Sequence, residues 1–272
     1  MNVRGLAVPS IFYGTAWKEE RTERLTSEAL AAGFRAIDTA NQRRHYVEAA
    51  VGDAVIKSQI PRAELWLQTK FTHVDGQDHR LPFDARAPMA EQVAQSFASS
   101  LEHLHTSYLD SYILHGPSAR DHLTDEDWQV WEAMVALQRA GRTRLLGVSN
   151  VSPAQVEALC ARADKPAFVQ NRCYARTGWD RRTRALCRAH DIGYQGFSLL
   201  TANQRELAKP AVARIVARSG RTLPEVVFAF ARAIGLIPLT GTSNPAHMRQ
   251  DLDSATLTLA PADLATLEAI GG

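Results

Sequence analysis

Residues 33–40 read Gly33-Phe34-Arg35-Ala36-Ile37-Asp38-Thr39-Ala40, and the chain runs on through Asn41-Gln42-Arg43-Arg44-His45-Tyr46 to Val47. Gly33 ends the helical pattern before it, Ala36-Ile37 is a short apolar strand core, and Asp38 stops that core abruptly. From Val47 a helical pattern opens, with Val47, Val51, Ala54 and Val55 at helical spacing. A carboxylate at the C-terminal end of a buried strand, with a tyrosine in the loop beyond, suggests a site. The alternative at this stage is that Asp38 is an ordinary cap and Tyr46 packs on it.

Outward from this stretch the same unit repeats. Residues 11–15 read as the first strand, with Gly14 where the backbone must lie close to something, and residues 22–32 as a helix. Trp17, just beyond that strand, either lines a pocket or covers the barrel mouth. Further strands are expected at 65–71, 108–115, 143–148, 167–169, 192–195 and 236–239. Helices are expected at 91–103, from Thr124, from Ser152-Pro153, and at 211–218, 223–233, 245–252 and 261–270. The loop 72–88 is longer than most connections, which marks it as a candidate functional loop.

Strand and helix alternate about eight times without a break in composition, which predicts one α/β domain over residues 1–272. The expected fold is a closed (β/α)8 barrel with eight parallel strands. An open doubly wound sheet is the alternative, but it would usually show a G-x-G-x-x-G turn after the first strand, and none occurs.

Composition narrows the function. The chain is 45% hydrophobic and 22% charged, the profile of a soluble globular protein. No stretch approaches the roughly 20 apolar residues of a membrane span, and the N-terminus lacks a signal-peptide run. Cys160, Cys173 and Cys187 have no metal-ligand spacing; they read as reduced thiols of a cytoplasmic protein, with no metal expected. A net charge of +2 gives no case for nucleic acid. Arg181, Arg182, Arg184 and Arg188 cluster, but as one solvated helix face rather than a phosphate track.

In a barrel of this kind the C-terminal strand ends share one mouth, where active sites sit. The second strand ends in Asp38, the third in Lys70 and the fourth in His115, with Tyr46 in the loop above the second. A phenol has a reference pKa of about 10. A nearby ammonium is expected to lower it, with a carboxylate holding the ammonium charged and oriented. A histidine at the same mouth can hydrogen-bond a carbonyl. This equipment would donate a proton to an oxygen on which negative charge develops, as in carbonyl reduction.

At this point the chain resembles the aldo-keto reductase superfamily over nearly its whole length. Residues 34–40 match the family's aspartate segment, Tyr46-Val47-Glu48 through Val51-Gly52 its tyrosine segment, and Thr69-Lys70 its lysine strand. Residues 109–117 match the histidine strand, and residues 141–150 (GRTRLLGVSN) match the signature G-x-x-R-x-x-G-V-S-N. The resemblance implies a catalytic tetrad of Asp38, Tyr46, Lys70 and His115, and NADPH or NADH laid across the barrel mouth. It places Gly14, Thr15 and Asp38 against that cofactor, and Ser149, Asn150 and Gln170 on the nicotinamide carboxamide. Phe197 falls where the family usually has a tyrosine stacked on the nicotinamide ring. Ser198, Leu199 and Leu200 would follow the pyrophosphate, and Thr240, Gly241, Thr242, Ser243, His247 and Asp251 the adenosine end. The partner implied is a small-molecule carbonyl, and the family default is a monomer.

Several residues depart from the family pattern. Tyr46 lies eight residues after Asp38 where the commonest pattern has five, so His45 also aligns with the catalytic tyrosine; only a phenol suits the role. The two cations that often grip the 2′-phosphate of NADPH are missing, with Leu239 and His247 near their places and Arg249 the nearest substitute. Gly116 replaces an aromatic, and the chain ends soon after its last helix, so an open pocket contacted by Trp17, Phe71 and Trp179 is expected. Trp179 reads equally as core or surface. A catalytically quiet cofactor-binding sensor or partner subunit on the same fold is the competing function. A paired-carboxylate hydrolase lacks its second acid.

Overall fold

Two short strands, β1 (Asn2–Val3) and β2 (Leu6–Ala7), open the chain as an antiparallel hairpin turned at Arg4-Gly5, where both residues take positive φ. The structure is a computed structural model that describes residues 2–272. Among those residues eight strands close a parallel barrel: β3 (Phe12–Gly14), β4 (Ala36–Asp38), β5 (Trp66–Phe71), β6 (Leu109–Leu114), β7 (Thr143–Ser149), β8 (Phe168–Arg172), β9 (Gly193–Phe197) and β10 (Leu236–Thr240). They pair in chain order, and β10 returns to β3 through Leu239–Phe12 and Thr240–Tyr13. An open sheet is thereby excluded.

The two-residue period of a strand sorts the core into two compartments. Outward-facing residues such as Tyr13, Ile37, Leu67, Tyr112, Val148 and Val169 join the helices in one buried cluster. Inward-facing Phe12, Ala36, Trp66, Ile113, Leu145, Phe168 and Ile237 form a second cluster inside the barrel, and Val3 joins them from the hairpin. The hairpin therefore plugs the N-terminal end of the barrel, and polar inward residues are left to its C-terminal end. Two-residue strands carry no periodicity, which is why the hairpin was not expected from sequence.

The outer layer holds α1 (Thr22–Ala32), α2 (Glu48–Ser58), α3 (Met89–His103), α4 (Asp125–Arg139), α5 (Pro153–Cys160), α6 (Arg181–Ala189), a one-turn α7 (Gln204–Leu207), α8 (Pro210–Ser219), α9 (Leu223–Ala233), α10 (Pro245–Asp253) and α11 (Pro261–Ala269). Thr124 and Ser152 close capping boxes with Asp127 and Gln155, which sets the starts of α4 and α5. None of the helices among the described residues is long and apolar enough to cross a membrane.

Three expectations need correction. Phe71 is on the outward face of β5, one residue after inward Lys70, and is buried against Phe83 with ring centroids 5.6 Å apart. It is core, not pocket. Trp179 is buried too: its indole N–H donates to the Leu267 carbonyl at 2.8 Å, and its ring packs edge-on to Phe230. The arginines of α6 do not share one solvated face. Arg184 is buried and donates to the carbonyls of Trp179, Gly178 and Ile234 and to Glu268, fastening α6 to the C-terminal helix.

Candidate active site

The C-terminal strand ends surround a cavity of about 660 Å³ that extends from Asp38, Tyr46 and His115 past Phe197 to His247 and Asp251. Its floor is a polar layer built by inward strand residues. Asp38 Oδ2 accepts from Lys70 Nζ at 2.7 Å, while Asp38 Oδ1 accepts from Gln68 Nε2 at 2.7 Å and Gln170 Nε2 at 3.1 Å. Gln195 links both glutamines, accepting from Gln68 at 2.8 Å and from Gln170 at 2.9 Å. A buried carboxylate is costly unless its lone pairs are met, and here three donors meet them. Lys70 also donates to the Thr39 carbonyl at 2.7 Å, so its direction is fixed by two bonds.

Lys70 Nζ lies 5.3 Å from the centroid of the Tyr46 ring, and Tyr46 meets the His115 ring edge-on at 5.9 Å. Glu48, two residues after Tyr46 at the start of α2, anchors the chain that follows the tyrosine loop. Glu48 accepts from Thr69 on the outer face of β5 and bonds His103 of α3 at 3.0 Å. The extra loop length before Tyr46 is tied down as well, Gln42 Nε2 donating to the Gly76 carbonyl at 2.7 Å and Gln77 Nε2 to that of Asn41 at 2.9 Å. The long 72–88 loop thus braces the tyrosine loop. His45, also on the cavity wall, packs against the exposed Trp17 with tilted rings whose centroids are 3.6 Å apart. Of the two neighbours, it is Tyr46 that faces Lys70 and His115.

The electrostatics differ from the expectation on one point. Burial raises the Tyr46 phenol above its ordinary value, and the Asp38 carboxylate raises it further; Lys70, bonded to Asp38, does not reverse this. Burial presses Lys70 below the usual ammonium range, with Asp38 opposing. His115 is pushed down to about 3 by burial and then by the Lys70 charge, so it is a neutral imidazole at ordinary pH. Its Nδ1 lies 2.7 Å from the Thr72 hydroxyl.

Along the rest of the wall stand Gly14, Ser149, Asn150 and Gln170, then Phe197, Ser198, Leu199 and Leu200, then Thr240, Gly241, Thr242, His247 and Asp251. Asn150 takes a left-handed φ of 56° and donates through Nδ2 to the His115 carbonyl at 2.8 Å, which turns the chain into the cavity. Three more expected residues lie off the wall, Lys70 among them, buried in the polar layer beneath. Thr15 is buried with its hydroxyl on the Asp38 carbonyl at 3.0 Å, and Ser243 is exposed on the loop beyond. Arg249 is likewise exposed and away from the cavity.

Sequence reasoning passed over other residues. Arg172 lines the cavity two positions after Gln170, where strand alternation pointed to the same face. Lys18 is buried beside the Gly241 end of the cavity and donates to the Gly241 carbonyl, a placement no periodicity announces. Pro224 and Phe228, one helical turn apart on α9, supply apolar wall near Asp251. Asp251 accepts from the Thr240 hydroxyl at 2.6 Å, and burial pushes its carboxyl up to about 7.

Comparison with known proteins bears on both fold and family. A solved aldo/keto reductase from Brucella melitensis, 26% identical, superposes with a TM-score of 0.84 over 99% of this chain and 98% of its own. An aldo-keto reductase of Mycobacterium avium is 29% identical over 271 residues, 99% of this chain and 86% of the relative. The methylglyoxal reductase DkgB of Escherichia coli O157:H7 is 27% identical over 270 residues, 97% of this chain and 94% of the relative. The model of the aldo/keto reductase family matches residues 10–271, the segment that contains every barrel strand and the whole cavity wall. By that match, the chain belongs to the aldo-keto reductase family.

Proposed function

We propose that this protein reduces aldehyde or ketone carbonyls to alcohols with NADPH or NADH, using Tyr46 as the proton donor. The observation that carries the reading is the convergence of Tyr46, Lys70, Asp38 and His115 at one end of the cavity, beside a wall suited to a flat ring. That wall fits a nicotinamide: Phe197 offers an aromatic face, and the Ser149 hydroxyl and Asn150 carboxamide offer polar partners. When bound, the reduced nicotinamide supplies a hydride to the carbonyl carbon.

The chain's own residues handle the proton. Because burial and Asp38 keep the Tyr46 phenol protonated at neutral pH, it enters the reaction as a loaded acid. It gives that proton to the carbonyl oxygen as charge develops there, and water later restores it. The Lys70 ammonium, aimed at the ring by Asp38 and Thr39, stabilises the phenolate left behind. In the tautomer where the Thr72 hydroxyl donates to His115 Nδ1, the neutral imidazole offers Nε2–H as a hydrogen-bond donor to the same oxygen. In the reverse direction Tyr46 acts as base. The relative named a methylglyoxal reductase supports carbonyl reduction as the direction to test. On this reading the protein acts as a monomeric, single-domain cytoplasmic enzyme on a small-molecule carbonyl.

The test is oxidation of NADPH and of NADH by the purified protein with a panel of aldehydes and ketones. Carbonyl-dependent loss of the reduced cofactor's absorbance is expected. Saturable binding of a cofactor with no turnover on any member would contradict the reading and favour a quiet sensor.

A further inference from the structure

The proton machinery leaves one charge on the cavity wall without a role. Arg172, the last residue of β8, is the sole lysine or arginine among the described residues that line the cavity. It makes no ion pair with any carboxylate among the described residues, and its one ring contact is with Phe197, whose centroid lies 5.6 Å from the guanidinium carbon. The strand register explains the contact, since Arg172 stands directly opposite Phe197 across the β8–β9 pair.

The nearby ammonium groups are committed elsewhere. Lys70 is held by Asp38 and Thr39, and Lys18 by the Gly241 carbonyl. Neither carboxylate on the wall is paired with Arg172: Asp38 is held by Lys70, and Asp251 accepts from the Thr240 hydroxyl. A dinucleotide brings a doubly charged pyrophosphate into this cavity, and the guanidinium is the free counter-charge. Position selects the phosphates over the reacting end of a substrate. In the ring of eight strands β8 is four away from β4 in either direction, so Arg172 sits across the mouth from Asp38. It is instead beside Phe197 and Ser198, where the wall turns on a positive φ of 57° at Ser198. A planar guanidinium matches two phosphate oxygens at once, whereas its contact with an exposed ring face is weak and readily exchanged.

We propose that Arg172 is a ligand of the cofactor's pyrophosphate, moving from the face of Phe197 onto the phosphate oxygens when the dinucleotide binds. This rests on the carbonyl-reductase reading, and the two fail separately. The experiment is equilibrium titration of wild type, Arg172→Met and Arg172→Lys with NADPH, NADH, ADP-ribose and adenosine. Arg172→Met is expected to weaken NADPH, NADH and ADP-ribose alike by about tenfold, the order of one exposed charge-assisted contact. Adenosine, which has no phosphate, keeps its affinity, and Arg172→Lys recovers part of the loss. The difference between wild type and Arg172→Met shrinks as salt is raised.

Equal binding of ADP-ribose by wild type and Arg172→Met would overturn the proposal. So would a loss confined to the nicotinamide-bearing ligands, which would place Arg172 on the stacked ring. A fall only in kcat/KM for carboxylate-bearing carbonyls, at constant cofactor affinity, would move Arg172 to the substrate and also overturn it. Wild type that binds none of the phosphate-bearing ligands would instead remove the carbonyl-reductase reading beneath it.

Discussion

Asp38, Lys70 and His115 were legible one residue at a time, because each is a polar residue at or beside the C-terminal end of an apolar strand run. Tyr46 was less so, since its loop exceeds the common length and His45 competes for the same place; ring contacts separate the two, and sequence does not carry them. The sign of the phenol's shift was also beyond the sequence. It depends on Lys70 being spent on Asp38 and on the depth of the ring, both of which are products of packing. Asp251 illustrates the same point with a measurable consequence. Its carboxyl rises from an ordinary 3.8 to about 7 in the folded protein because it is buried. The native state therefore binds an extra proton between those values, and stability from this group is lost as pH rises through that window. Asp251→Asn, which keeps an acceptor for Thr240, is expected to raise the melting temperature more at about pH 8 than at about pH 5. An equal change at both pH values would show that Asp251 is ionised in the folded protein.

At the scale of elements, period explains both what was legible and what was misassigned. The barrel strands were readable as apolar runs closed by polar residues, and their alternation assigns Lys70 to the mouth and Phe71 to the helix layer. Phe71, expected in the pocket, is the neighbour of Lys70 in sequence, and in a strand that puts it on the opposite face. Phe71→Ala is expected to cost about 3–5 kcal/mol of stability, the usual cost of a large aromatic lost from a core. Denaturant unfolding measures that loss, while cofactor affinity stays at the wild-type value. A lower affinity with unchanged stability would return Phe71 to the pocket. The arginines of α6 show the limit of composition: four neighbours of one type look alike in sequence, yet Arg184 is buried under carbonyls that sequence distance hides.

At the scale of the whole molecule, the strand–helix repeat and the motif order made the barrel legible, while the hairpin that plugs its base was not. Closing the barrel also decides the fate of the thiols. Cys160, Cys173 and Cys187 are free and buried, and burial pushes the Cys173 and Cys187 thiols up to about 12. A thiolate-selective disulfide reagent is expected to modify none of them at a measurable rate in the native protein and all three after denaturation. Fast reaction of one thiol in the native state would mean a local opening of the helix layer.

The central claim, that the phenol of Tyr46 is the proton donor, is tested most directly by Tyr46→Phe. Removing one hydroxyl leaves the ring, its edge contact with His115 and the Lys70–Asp38 pair in place. The variant should bind NADPH and NADH as wild type does and lose carbonyl reduction by about 100-fold or more, the contribution of a positioned general acid. Turnover that survives in Tyr46→Phe and disappears in His45→Ala would contradict the account and move the chemistry to the neighbouring residue.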